Sequence, residues 1–280
     1  MKKNYWLMLL FAALLILAAA CGKDTNDLEK ETENNNNAEA EEMEEDAGSA
    51  DKDVFTVATD NSYAPFEFID DETGELEGFD VELIEALAEE ADIEIEIQQL
   101  EFDGIVAGVG SGKFDIGIAG MTITDERKEN IDFSQPYYEA GLILAVTDDN
   151  DDIESIDDVD DKVVATRVGS TSEDYLKDET DAEVESFPEI VEAYQVVMQG
   201  KVDAVLYDLP NVLYYANKET GGELDTVGDR LTGEDYGIAF PKGSEIRDDI
   251  DDALTTLKED GTYDEIYEKW FGESPDESEE

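Results

Sequence analysis

Between residues 54 and 272, short apolar runs with the two-residue period of a strand alternate with longer runs whose apolar residues recur every three to four positions. VFTVAT (54–59) reads as a strand, and GFDVELIEALAEEAD (78–92) sets Val81, Ile84, Leu87 and Ala88 on one helical face. IEIEI (93–97) and FDIGIAG (114–120) read as further strands. KVVATRVGSTSEDYL (162–176) reads strand, turn, helix, and residues 189–216 read helix, strand, turn, helix. This order predicts an α/β protein with parallel sheets covered by helices. Ligands in such sheets gather beyond the carboxyl ends of the strands. Three polar clusters fall at those turns: residues 119–127, residues 167–171, and Tyr207 with Asp208.

The 280 residues suffice for one large or two modest domains, and a hydrophobic fraction of 41% supplies a core. Charge is the unusual quantity. Eighteen basic residues stand against 77 acidic ones, with no histidine, for a formal net charge of −59. Such a surface repels nucleic acid and anionic membranes and excludes both as partners. It also repels itself, and molar salt relieves that repulsion by shortening the Debye length to roughly 3 Å. The composition therefore predicts an exported protein of a salty habitat.

Lys2 and Lys3 precede a fifteen-residue apolar run (6–20), short for a membrane span and suited to a signal peptide over residues 1–20. ILAAAC (16–21) resembles the lipobox of bacterial lipoproteins, with Ala18 where leucine is usual. That resemblance implies cleavage before Cys21 and diacylation of its thiol; ordinary signal cleavage would leave the thiol idle. As the only cysteine, Cys21 excludes an intrachain disulfide. Residues 21–53 are rich in Asn, Glu and Asp and read as a disordered tether, and residues 273–280 as an acidic tail.

Each polar cluster admits a structural and a functional reading. GSTS (169–172) precedes a helix, whose N-terminus can hold an anion, or Thr171 or Ser172 can simply cap it. Arg127 has Asp125, Glu126, Glu129 and Asp132 nearby, and an exposed pair with any of them is worth roughly 0–1 kcal/mol. Asp208 can cap the helix after it or accept from a ligand. Tyr63 and Phe102 can be core or clamp. Without histidine, and with Cys21 at the signal site, no Ser/His/Asp or Cys/His nucleophile set exists. No D-x-D-x-D-G loop and no Walker pattern occurs, so no metal, nucleotide or other cofactor is expected.

ATDNSYAPFEF, GFDVELIEALAEE, AGMTITDERKENIDFSQPYY, DAVLYDLPNVLYY and the long run from Tyr236 to Gly272 together resemble the extracytoplasmic solute-binding proteins of polar amino acid ABC transporters, family 3 type. They are most similar to the glutamine-binding members. The resemblance implies a two-lobed, periplasmic-binding-protein-like (Venus-flytrap) fold, two α/β lobes joined by two hinge strands. Lobe 1 would comprise 54–137 and 236–272, lobe 2 141–231, with hinges near 137–141 and 232–236. By the same resemblance, Arg127 and Thr122 from lobe 1 and Thr171 from lobe 2 grip the α-carboxylate. The carbonyl of Gly120 and the carboxylate of Asp208 accept the α-ammonium. Tyr63 and Phe102 wall the side chain, Asp60 and Arg167 read its far end, and Ala119 and Tyr207 complete the set. Two positions depart from the glutamine pattern: Arg167 replaces lysine and Tyr207 replaces histidine.

Those pocket charges cancel: Arg127 and Arg167 against Asp60 and Asp208. A neutral carboxamide side chain preserves that balance, which points to glutamine. The resemblance further implies a monomer that captures the ligand without chemistry and delivers it to permease subunits driven by a cytoplasmic ATPase. The place expected is extracytoplasmic, held to the cell membrane by lipid alone. Two rivals share the fold: an enzyme resembling cyclohexadienyl or arogenate dehydratases, and a ligand-sensing receptor module.

Overall fold

The computed structural model describes residues 54–272 together with 274 and 275. The signal peptide over 1–20, Cys21, the tether to residue 53 and the rest of the tail lie outside the described residues.

The chain opens with β1 (Phe55–Thr59), then a small antiparallel ribbon of β2 (Ser62–Tyr63), β3 (Glu67–Ile69) and β4 (Leu76–Glu77). Helix α1 (Phe79–Glu90) buries Val81, Leu83, Ile84, Leu87 and Ala88, the face that its sequence period predicts. Next come β5 (Ile95–Gln99), α2 (Phe102–Gly110), β6 (Ile116–Gly117) and β7 (Ile131–Phe133). The strand expected at 93–97 begins two residues late. Residues 91 and 92 form the turn out of α1, and Phe55 N–H already takes the carbonyl of Glu94, so sheet pairing starts at Ile95.

A first crossing strand, β8 (Tyr138–Ala140), leads to β9 (Leu142–Thr147), β10 (Val163–Arg167), α3 (Thr171–Glu179), β11 (Glu183–Phe187), α4 (Ile190–Met198), β12 (Ala204–Asp208), α5 (Leu209–Tyr214) and β13 (Leu224–Val227). A second, β14 (Glu234–Tyr236), returns the chain to β15 (Ala239–Pro241), α6 (Ile246–Asp260) and α7 (Thr262–Phe271). The two crossing strands pair antiparallel, Tyr236 opposite Tyr138 and Glu234 opposite Ala140.

Two five-stranded sheets result, ordered β5-β1-β6-β15-β7 and β11-β10-β12-β9-β13. Only their first halves are parallel, where strand-helix-strand units run: β1 with β5 and β6, and β10 with β11 and β12. The all-parallel expectation fails on the other half. There β15 and β9 arrive from the crossing strands and pair antiparallel with their neighbours. The two-lobed α/β architecture stands, with a mixed sheet in each lobe.

The second lobe's core is aliphatic, built on Leu142, Leu144, Val164, Leu176 and Leu206. The first carries an aromatic block under the crossing strands. Phe66 packs edge-on to Tyr138 at 4.9 Å between ring centroids, and Tyr138 stacks on Tyr236 at 5.7 Å. Phe79 and Phe271 close the block at 5.2 Å. Edge-to-face and offset pairs of this kind add about 0.5–1.5 kcal/mol each beyond buried area.

Candidate functional site

The sequence-selected residues arrive at one cleft because the strands that carry them all end there. Asp60 follows β1, residues 119–122 follow β6, Arg167 ends β10 and Asp208 ends β12. A cavity of about 10 Å³ lies between them. Eight of the eleven selected residues line it: Phe102, Ala119, Gly120, Thr122, Arg127, Thr171, Tyr207 and Asp208. Ser170 joins them, while Asp60, Tyr63 and Arg167 stand outside the lining.

Arg127 is half-buried in a short 3₁₀ turn and faces inward. Its Nη1 donates to the carbonyl of Thr122 at 2.8 Å and its Nη2 to that of Gly169 at 3.0 Å, on the far side of the cleft. Its guanidinium also lies 5.2 Å from the centre of the Phe102 ring. Two carboxylates considered for a surface pair take other cations: Asp125 meets Lys128 at 3.7 Å, and Asp132 meets Lys242 at 2.9 Å. Burial pulls the Arg127 pKa down, opposed by Asp208, Asp174 and Glu234.

Asp208 sits at the N-cap position of α5, yet its side chain makes no capping bond. It turns into the cleft instead. Its Oδ2 accepts from the hydroxyls of Tyr63, at 3.0 Å, and Tyr236. Its Oδ1 is buried and takes no hydrogen bond from a described residue. Burial, with the nearby Glu234 charge, raises the Asp208 pKa to about 7. Tyr63, expected as a wall, thus acts through its hydroxyl on Asp208, and its ring stacks on Phe66 at 5.2 Å.

Asp60 and Arg167 pair with each other. Asp60 Oδ2 accepts from Arg167 Nη2, Arg167 Nε donates to the carbonyl of Pro188 at 3.0 Å, and Arg167 is only 1% exposed. Asp60 Oδ1 is occupied by the backbone N–H of Ser62 at 3.1 Å and that of Asn61. This is a buried ion pair across the cleft and not, in this closed geometry, two groups pointing at the cavity. Phe102 covers it too, 5.4 Å from the Arg167 guanidinium.

At the start of α3 the cap is Ser170, whose Oγ accepts from Glu173 N–H at 3.2 Å. Neither Thr171 nor Ser172 fills that role. Ser172 Oγ bonds Thr166 and Ser170 in the lobe interior. The Thr171 hydroxyl points elsewhere, to Glu234 Oε2 at 3.0 Å, and the Thr122 hydroxyl reaches the same oxygen at 3.2 Å. The sequence reading missed Glu234 and Tyr236. They lie two residues apart on β14 and so share a face; only that register, absent from any local motif, brings both to the cleft.

Behind the cleft stands a second missed pair. Asp80 Oδ2 accepts from Gly120 N–H and from the Tyr137 hydroxyl, each at 2.8 Å. Gly120 has φ +51, and a Cβ there would lie 2.3 Å from the Tyr63 ring, so only glycine fits. Glu67 and Asp80 are both fully buried. As two carboxylates neither could donate, and three of their four oxygens lack a partner among the described residues. A proton shared between the two would supply the missing donor. Burial first, then the Asp80 charge, holds Glu67 well above the usual carboxylate range, and burial raises Asp80 to about 6.

Comparison with known proteins places this arrangement. The L-cystine-binding protein TcyA of Bacillus subtilis is 33% identical over 279 residues, 98% of each chain. The ABC transporter glutamine-binding protein GlnH of the same organism is 32% identical over 287 aligned positions, covering 98% of this chain and 99% of its own. Among solved structures, an ancestral arginine-binding protein bound to glutamine superposes with a TM-score of 0.75 at 44% identity, over 79% of this chain and 99% of that one. The family model for bacterial extracellular solute-binding proteins, family 3, matches residues 55–273, the whole two-lobed part. The chain belongs to that family.

Proposed function

We propose that this protein captures a polar α-amino acid, L-glutamine foremost, between its lobes and delivers it to the permease of an ABC transporter. The observation that carries the reading is the placing of Arg127 and Asp208: a guanidinium from one lobe and, from the other, a carboxylate with one oxygen that lacks a partner among the described residues line a single cavity. An α-amino acid presents the two complementary charges. The Arg127 fork and the Thr122 and Thr171 hydroxyls take the carboxylate; Asp208 Oδ1 and the carbonyl of Gly120 take the ammonium. Phe102, Ala119 and Tyr207 surround the side chain, with Tyr63 behind them on Asp208, and a carboxamide reaches Asp60 and Arg167 only by parting their ion pair, to which it adds no net charge.

A cavity of about 10 Å³ has room for about one water molecule. A ligand therefore reaches the site only when the lobes part, and contacts with both lobes then favour closure around it. In this reading 54–137 with 236–272 move as lobe 1 and 141–231 as lobe 2, and the protein is a monomer. The mechanism is binding without bond chemistry: Asp60, which could mimic the proton-transfer group of a dehydratase, is paired with Arg167. That the similar glutamine-binding protein is named for an ABC transporter supports the partner, and the family's description as extracellular supports the location. Acylated Cys21 would hold the protein at the cell membrane.

Calorimetric titration of the mature chain in high salt with glutamine, glutamate, arginine, histidine and cystine tests the reading. One-to-one binding of glutamine, stronger than that of arginine, is the expected result. Equal affinity for arginine and glutamine defeats the charge argument, and no binding by any of the five defeats the function.

A further inference from the structure

The two threonines assigned to the ligand's carboxylate already hold a carboxylate. Glu234 Oε2 accepts from the Thr122 hydroxyl at 3.2 Å and from the Thr171 hydroxyl at 3.0 Å. Those hydroxyls come from opposite sides of the cleft, one after β6 and one at the first turn of α3, and Glu234 comes from the crossing strand between the lobes. We propose that Glu234 is a tethered competitor: it occupies the threonine arm of the carboxylate site, holds the lobes together and lowers affinity for the incoming amino acid. The inference rests on the proposed function for the identity of the competing group.

The chemistry leaves little room for both carboxylates. Each threonine hydroxyl has one proton and donates once, so a ligand carboxylate that takes these bonds takes them from Glu234. A second negative charge beside the first is also repelled, in a cleft where Arg127 already gives one N–H of Nη1 and one of Nη2 to the carbonyls of Thr122 and Gly169. Glu234 is half-buried, so this repulsion is only partly screened by solvent. The contact also joins the lobes, Thr122 standing on one side and Thr171 on the other. A receptor so built closes on itself between captures, and a departing ligand is replaced by a side chain.

The test is Glu234→Gln in the mature chain, which keeps an amide of the same length and removes the charge. Titration with L-glutamine should give a Kd about tenfold lower than wild type, the size expected when the competing bonds lose their charge assistance and the repulsion goes with it. L-Glutaminamide, which lacks the α-carboxylate, should show no gain. Small-angle scattering of the ligand-free proteins should give a larger radius of gyration for the variant. Wild type that binds glutamine as tightly as the variant, or more tightly, overturns the proposal and makes Glu234 a residue that orients the threonines. If neither protein binds any amino acid, the proposed function fails and the competition with it, while an unchanged radius of gyration separately removes the role in closure.

Discussion

Arg127 donates to the carbonyl of Gly169 across the cleft at 3.0 Å, so the one guanidinium joins the 3₁₀ turn of the first lobe to the loop before α3 of the second. Any carboxylate that draws Arg127 towards itself must loosen or share that link. The residue is therefore both a closure contact and the centre of the proposed carboxylate site.

Replacing Arg127 with alanine should cost roughly 2–5 kcal/mol of glutamine affinity, because the ligand carboxylate would remain desolvated and half-paired. Arg127→Lys keeps the charge but not the two-pronged fork and should also weaken binding. Titration of both variants checks this; wild-type affinity in Arg127→Ala would send the carboxylate elsewhere.

Binding should weaken in acid. Burial first, with Glu234 adding to it, raises Asp208 to about 7. An ammonium ligand needs the carboxylate form, so below that pH the empty site must first release a proton. The Kd should therefore rise by up to about tenfold for each pH unit below 7. Titrations between about pH 8 and pH 5.5 measure the slope. Asp208→Asn should bind weakly at every pH, with the slope gone; a flat wild-type profile would contradict the assignment.

The Glu67 and Asp80 pair should make the fold less stable as pH rises. A buried acid with a raised pKa keeps its proton in the fold while the unfolded chain gives its own up. The loss begins near the unfolded value of about 4 and ends at the folded one. For Asp80 that end is about 6, and for Glu67 it lies well above the usual carboxylate range. Glu67→Gln retains a donor for Asp80 and removes one acid. Its melting temperature should exceed wild type at about pH 8 and match it near pH 4; parallel curves for the two proteins would count against the shared proton.

Salt should stabilise the protein. With a formal charge of −59, dilution from about 2 M to about 0.05 M NaCl lengthens the screening distance several-fold and restores self-repulsion. Thermal melts across that range should show a falling midpoint. An unchanged midpoint would separate the composition from salt adaptation.

Much of this was readable from the chain because the informative residues sit in local patterns. The apolar face of α1 and the strand ends carrying Arg167 and Asp208 follow from periodicity and from the polar turns, whereas the strand read over 114–120 shrinks to Ile116–Gly117 and leaves Gly120 in the bend after it. The missed residues have no such marker. Glu234 is one acid among 77, and its role depends on which face of β14 it shares with Tyr236. Glu67 and Asp80 look like two more surface acids until the fold buries both. The pairing of Asp60 with Arg167 likewise depends on two lobes meeting, which no single stretch of sequence encodes.

The aromatic block beneath the crossing strands fastens both of them to the first lobe. Tyr138 and Tyr236 lie one on each of those strands, and both are clamped against Phe66, which belongs to the first lobe. The pivot is thus bolted to one side. Just past the clamp, a Cβ on Gly141 would lie 2.2 Å from the Thr232 carbonyl oxygen. In the proposed opening of the lobes, bending would fall on this crowded spot beyond the clamp, where not even a methyl group has room.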